Sequence, residues 1–455
     1  MKKAIGYVGI VGLVALVTSL TGFTGQQVLA TTIFAGFICG TLFYWEFRLA
    51  FALTGIALLF AFGMLDIGHF IEFASLDVIL FLIGMMIVIG YLEEKDFFAR
   101  LLDRVLPSIN KGAVTLMVAL MGLSFLSAAL VDEVTSILFM AAMTMRIAKH
   151  YGLNPVPYLI MVVFATNIGS SATVVGNPIG VLIAMRAGLS FPDFLRWATP
   201  MSILALITTV VLSFWYFRKP MADLQAAIQS RKDAVESGSK ESILVPSLLF
   251  GGTILGLLLH KNIEHWLGLE HNIMLIGVSM LAGGIVLFIE RHRAKQLVET
   301  RVDWWTLLFF MLLFASAGTL RYVGVTENIA EAMINATQGN LSSLFFLITW
   351  ATGVITAVMD NVLAVASFIP IVGDLAAAGV QVAPLWWGML MGGTILGNLT
   401  FIGSTANIVA IGMLERQEGR GVTFMEWFWP GLVTSVPSLL VATLGLYLQI
   451  PLMLR

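Results

Sequence analysis

The chain has 455 residues, 58% of them hydrophobic and 11% charged, with a net charge of −2 and a mean hydropathy of +0.93. Soluble domains carry about 25% charged residues, so this composition excludes a water-soluble globule and requires a bilayer. The near-neutral charge, scattered over connecting segments, excludes a nucleic-acid partner.

Taken in chain order, MKKAIGYVGIVGLVALVTSL joins a basic start to an apolar stretch, as a signal peptide does. The stretch is long enough to span and no small-x-small cleavage pattern follows, so a retained transmembrane helix is expected over 1–27. Spans of about 20 apolar residues follow at 28–44, 50–67, 77–92, 157–185, 199–217, 243–259, 271–290, 304–325, 384–413 and 430–450. Two pairs of shorter apolar runs, 113–131 with 134–147 and 342–358 with 362–378, are interrupted by Asp132-Glu133 and Asp360-Asn361. The single Cys39 lies in an apolar run, which rules out a disulfide within the chain and argues against a thiolate metal site. The six histidines (69, 150, 260, 265, 271 and 292) fall at or near segment ends without paired spacing, so neither a metal centre nor a cofactor is expected.

Lys and Arg collect on cytoplasmic loops. They are dense in 93–111, 218–242 and 291–301, and absent from Tyr322 to Glu415. With the N-terminus inside, all three basic loops fall inside only if each short pair is a hairpin that enters and returns on one side. The first hairpin (113–147) then enters from the cytoplasm, the second (342–378) from the opposite side, and the C-terminus lies outside.

A shift of 228 residues lays Ile79-Leu80-Phe81 on Leu307-Leu308-Phe309, Gly90 on Gly318, Leu92 on Leu320, Asp132 on Asp360 and Val134 on Val362. At 227, TVVG (173–176) falls on TFIG (400–403). The expected fold is therefore an all-α polytopic membrane protein of two inverted repeats, 28–217 and 243–455, of about five spans each. An extra N-terminal helix precedes them and a cytoplasmic linker, 218–242, joins them. Such repeats with interrupted helices in matching positions are the signature of secondary transporters, whose site lies near the midplane.

The interruptions are NIGSSATVVGNPIG (167–180) and GNLTFIGSTAN (397–407). Gly169, Gly176, Gly180 and Pro178 stop a continuous helix. Backbone groups freed there cannot face lipid and must line a protein-enclosed cavity. Close helix packing would also explain the glycines, but explains Asn167, Asn177, Asn398 and Asn407 poorly. The substrate-binding candidates are Asn167, Ser170, Ser171, Thr173, Asn177, Asn361, Asn398, Thr400, Ser404, Thr405 and Asn407. Carboxylates at membrane depth default to function, which makes Asp132, Glu133 and Asp360 the ion- or proton-coupling candidates; helix capping by the two aspartates is compatible with that. Glu133 could instead point away toward a basic group, and Arg321 is expected to snorkel to an interface.

These tips, VDEVTS and MDNVLA, together with NIGSSATVVGNP and the tail GSTANIVAIGMLERQEGRGVTFMEWF, resemble the ion transporter superfamily. The resemblance is closest to the group of bacterial arsenite/antimonite permeases and the melanosomal P protein, with sodium/proton antiporters and divalent-anion/sodium symporters as relatives. It covers the chain from about residue 45. It implies a transporter in a prokaryotic cytoplasmic (inner) membrane, often a homodimer, with tip motifs at Asp132-Glu133-Val134 and Asp360-Asn361-Val362. The symporters' Ser-Asn-Thr tips are not matched, because Ser is Asp and Thr is Val in both. The Asp-Pro-Pro-Asn of the group is Asn177-Pro178-Ile179-Gly180 here, and Glu133, where Asn is usual, offers a replacement charge.

With no Arg or Lys inside the hairpins or broken helices, a dianion is disfavoured. A neutral polyhydroxy solute such as arsenious acid needs only Asn, Ser and Thr donors and acceptors, with carboxylates exchanging protons. The expected function is proton-coupled efflux of arsenite or antimonite. The same residues would serve a sodium/proton antiporter, and a sodium-coupled anion symporter is the further alternative. A channel would need a continuous pore. No HExxH or GxSxG occurs, which argues against an enzyme.

Overall fold

The computed structural model describes residues 2–230 and 243–454, and is helical throughout, with no strand among the described residues. The first helices are α1 (Lys2–Leu20), α2 (Gly25–Phe43), α3 (Arg48–Ala61), α4 (Ile67–Phe73) and α5 (Leu76–Glu94). Helix α1 packs on α2 and otherwise faces outward, while α5 is the most enclosed of the long spans. The run expected at 50–67 divides: α3 stops at Ala61, the chain turns at Gly63, and Asp66 caps α4 through its bond from the His69 N–H (3.0 Å).

The basic segment 93–111 is not a loop but carries α6 (Phe97–Ile109), an amphipathic helix with Phe97, Phe98, Leu102 and Leu106 buried on one side. There follow α7 (Ala113–Leu130), α8 (Glu133–Tyr151), α9 (Val156–Ser170), α10 (Pro178–Ala187) and α11 (Phe191–Tyr216). Part of the expected linker, Arg218–Ser230, forms α12, which docks on the first half; residues 231–242 lie outside the described residues. Its Met221 and Leu224 are buried, the Pro220 carbonyl accepts from Tyr158 Oη (2.7 Å), and Gln225 Oε1 accepts from the Ala113 N–H (2.9 Å).

The second half comprises α13 (Leu244–Leu267), α14 (Ile273–Ile289), α15 (Ala294–Arg301), α16 (Trp304–Tyr322), α17 (Val325–Thr337), α18 (Leu341–Thr356), α19 (Asn361–Ala377), α20 (Ala383–Ile395), α21 (Thr405–Glu418) and α22 (Phe424–Met453). Helices α5, α6, α7 and α8 begin at residues 76, 97, 113 and 133; α16, α17, α18 and α19 begin at 304, 325, 341 and 361. The offset is 228 each time.

Eight described helices are long and apolar enough to cross a bilayer, and α9, α10, α14, α18 and α19 are apolar but shorter. Four of these five are cut short by a tip or an internal break.

The elements gather into two bodies. Helices α3, α4, α5, α14 and α16 pack together; Gly84 lets α5 approach α14 so closely that a Cβ would stand 2.6 Å from the Ser279 carbonyl oxygen. In the other body α7 lies on α9, α18 on α20, and α11 on α22. The bodies touch mainly where α16 packs along α19 and α5 meets α10. Elsewhere a cavity lies between them.

Candidate functional site

Each tip is a helix end facing a helix start. Past Leu130 the chain turns once and α8 begins, with Asp132 Oδ1 accepting from the Val134 and Thr135 N–H groups (2.8 Å each). Past Thr356 the same occurs, with Asp360 Oδ1 accepting from the Val362 N–H (3.0 Å) and Oδ2 from Thr405 Oγ1 (2.7 Å). Two orphan donors of α8 and one of α19 are thus satisfied by a carboxylate.

The two broken helices cradle these tips. After Ser170 the helical pattern lapses until Asn177 caps α10 by accepting from the Gly180 N–H (2.7 Å); in the other half Ser404 caps α21 by accepting from the Ala406 N–H (3.2 Å). Thr173 Oγ1 donates to the Ala129 carbonyl, and Thr400 Oγ1 to the Ala357 carbonyl (2.6 Å), so each loop satisfies a carbonyl at the end of a tip helix. Gly176 lies against the Ser170 carbonyl oxygen and Gly403 against that of Gly397, where a Cβ would approach to 2.3 and 2.5 Å. No larger residue fits either loop without moving backbone.

At the centre is Glu133, only 3% exposed. Its Oε1 accepts from Asn361 Nδ2 on the opposite tip (3.0 Å) and its Oε2 from Ser170 Oγ (2.9 Å), which itself accepts from Asn177 Nδ2 (2.9 Å). Ser404 Oγ lies 3.5 Å from Oε1 and donates to Asn167 Oδ1 at 3.0 Å. Asn167 Nδ2 reaches Asn398 Oδ1 (2.6 Å) and Asn407 Oδ1 (2.7 Å), and Asn407 Nδ2 closes on the Gly397 and Thr400 carbonyls. Glu133 therefore does not turn toward a basic group. It joins both tips and both breaks.

A cavity of about 210 Å³ opens beside this centre. Asp132, Glu133, Asp360, Asn361, Thr405 and Asn177 line it. Asn167, Ser170, Thr173, Asn398, Thr400, Ser404 and Asn407 stand behind that wall as a hydrogen-bonded support. Ser171 points elsewhere, to Ser202 on α11 (2.8 Å).

The cavity also contains cations that the motif argument did not find. Arg48, Arg301, Glu93 and Asp303 line it. Arg48 stacks over Trp45 (4.4 Å to the ring centre) and donates to Thr306 Oγ1 (2.7 Å), which donates to Asp303 Oδ2 (2.6 Å). Its Nε is buried without a hydrogen-bond partner, as is the Oδ1 of Asn361. In the sequence Arg48 is an unremarked loop-end arginine; its neighbour Trp45 is the one local hint of a stacked guanidinium. The tips and breaks themselves hold no Arg or Lys, but Arg48 of α3 and Arg301 of α15 bring positive charge to the cavity, so a dianion is not without a partner there. Arg321, expected at an interface, is half-exposed but paired with Asp374 on α19 (2.8 Å).

The profile of a family described as a citrate transporter (CitMHS) matches residues 41–392. Two uncharacterized transporters of Mycobacterium tuberculosis are 31% and 32% identical, over 82% of this chain and 86% of theirs. The human P protein is 26% identical over 91% of this chain, which spans 59% of that longer protein. Among solved structures, the YdaH transporter of Alcanivorax borkumensis superposes with a TM-score of 0.58 at 15% identity, covering 88% of this chain and 89% of that one. That likeness is one of fold.

Proposed function

The chain belongs to the CitMHS citrate transporter family and is an integral membrane transporter, and from that premise we propose that it is a proton-coupled secondary carrier working by alternating access. One observation carries the reading: three carboxylates, Asp132, Glu133 and Asp360, converge where two tips meet two helix breaks, around a solute-sized cavity. In this reading the two halves are inverted copies, the tips are re-entrant, and the cavity faces the side bearing the basic loops, which is the cytoplasm. The body carrying the tips slides or rocks against the body carrying α5 and α16.

The charge balance bears on the solute. Arg301 is engaged by Glu93 (3.2 Å), and Arg48 is offset by Asp303 through Thr306. Three carboxylates remain, which repel a bare dianion. A neutral polyhydroxy solute such as arsenious acid can bridge Asn361, Thr405 and Asn177 while the carboxylates trade protons, giving arsenite or antimonite efflux. A second reading has a specific observation behind it. The unpartnered Nε of Arg48 suits a carboxylate, and protonation of Glu133 or Asp360 would admit a citrate-like anion, in keeping with the family's description.

Counterflow in proteoliposomes with arsenite, citrate and sodium in parallel, with a trapped pH dye, tests both. Arsenite exchange with opposed proton movement is the expected result, and citrate exchange with protons supports the second reading. If sodium alone moves protons, both are wrong and the protein is a sodium/proton antiporter.

A further inference from the structure

Among the described residues two ion pairs join the bodies where they touch, Arg186 of α10 with Asp77 of α5 (3.6 Å) and Arg321 of α16 with Asp374 of α19, and the second is the shorter. Arg321, in the last turn of α16, donates from Nε to Asp374 Oδ1 on α19 (2.8 Å), and Thr326 Oγ1 donates to the other oxygen (2.5 Å). The offset of 228 that relates the helix starts carries Arg321 onto Glu93 and Asp374 onto Arg146. This counterpart pair is also oppositely charged, with the signs exchanged between the bodies.

Glu93 and Arg146 are not paired with each other here. Glu93 accepts from Arg301 NH1 (3.2 Å), and Arg146 NH2 pairs with Asp103 on α6 and lies 3.1 Å from Met143 Sδ. Arg301 Nε is also 3.4 Å from Glu94, which Arg293 holds as well, so Arg301 keeps a carboxylate partner if Glu93 leaves. The reason for the difference is steric: α16 packs along α19, whereas the cavity separates α5 from α8. Glu93 instead lines that cavity together with Thr135, in the first turn of α8.

We infer that Glu93 and Arg146 form the reciprocal gate, pairing across α5 and α8 when Arg321 and Asp374 separate, so that each pair closes one side while the other side is open. The inference rests on the carrier reading with opposed halves. In that reading the alternate state gives each half the arrangement its counterpart has now. Thr135 and Arg146 are eleven residues apart on one helix, which at 1.5 Å per residue is a slide of about 16 Å along α8. Arg146 lies outside the cavity, and Glu93 lines it without a hydrogen bond to Asp132, Glu133 or Asp360; in this inference both set which side is closed.

The test is pulsed electron paramagnetic resonance on the full chain in liposomes. Spin labels at the exposed positions Asp96→Cys and Lys149→Cys leave Glu93 and Arg146 intact, and labels at Tyr322→Cys and Ala377→Cys report the other side. Two separations about 16 Å apart are expected at 96/149, the shorter rising as 322/377 lengthens. Arg146→Gln should cut the short population about tenfold, and Glu93→Arg with Arg146→Glu should restore it. A 322/377 pair that lengthens without any approach at 96/149, or a short population indifferent to Arg146→Gln, overturns the gate alone. A single fixed distance at both pairs overturns the carrier reading with it.

Discussion

Replacing Glu133 separates the chemical role of its carboxylate from its structural one. Two donors converge on it, Asn361 Nδ2 at 3.0 Å and Ser170 Oγ at 2.9 Å. Glu133→Ala orphans Asn361 Nδ2 in a buried site, at about 1–3 kcal/mol, and empties the space of the side chain, while Ser170 Oγ falls back on the Asn167 carbonyl. Glu133→Gln keeps the shape, and its new N–H₂ needs only an acceptor. Ser170 Oγ, 2.9 Å from Oε2, becomes that acceptor, and Asn361 Nδ2 still donates to the oxygen that remains. Ser170 Oγ then donates to the Asn167 carbonyl, 2.9 Å away. The expected cost of Glu133→Gln is therefore about 1 kcal/mol or less, close to the net worth of one ordinary hydrogen bond. Thermal unfolding in detergent should rank the wild type and Glu133→Gln together, with Glu133→Ala well below. In proteoliposomes, by contrast, Glu133→Gln should carry no protons with the solute. Full proton-coupled flux by a stable Glu133→Gln protein would refute the assignment of this carboxylate to coupling.

Thr405→Val removes the donor to Asp360 Oδ2 (2.7 Å) while keeping the volume; a loss of about 1.5–3 kcal/mol in stability is expected, as for a hydrogen bond to a charged group, measurable by denaturation midpoint. Arg48→Gln should raise the half-saturating citrate concentration about tenfold or more, one lost charge-assisted contact, and leave arsenite exchange unchanged; equal effects on both solutes would remove Arg48 from solute discrimination. Gly169→Ala would set a Cβ 2.3 Å from the Phe125 carbonyl oxygen and Gly392→Ala one 2.1 Å from that of Thr349. Each should cost about 1–3 kcal/mol through overpacking, and unchanged unfolding temperatures would show that these helix pairs yield more readily than their backbone contacts imply.

Much of this protein was legible in one dimension because the deciding forces are local. A chain with this composition cannot coat itself for water, and Pro178 with the glycines around it cannot continue α9, whatever surrounds them. Carboxylates between apolar runs mark helix starts, as Asp132 and Asp360 do. The 228-residue offset is visible in the residues and again in the helix starts. Division of the 50–67 run at Gly63, the amphipathic α6 and the docking of α12 were harder to read. There the helix boundary follows from packing against neighbours rather than from mean apolarity.

Only the tertiary structure decided which polar groups meet. Glu133 could have faced any basic group, yet its partners are Asn361, 228 positions on, and Ser170 across the break. Asn167, Asn398 and Asn407, alike in the sequence, bond to one another behind the wall while Asn177 and Asn361 line the cavity. Arg48 enters that cavity from a helix end, because α3 packs against α16 and brings the guanidinium to Thr306. A buried polar group takes whichever partner the packing delivers, since leaving it unpaired costs more than most alternatives; pairings hundreds of residues apart therefore follow from the arrangement of helices, to which no local pattern is tied.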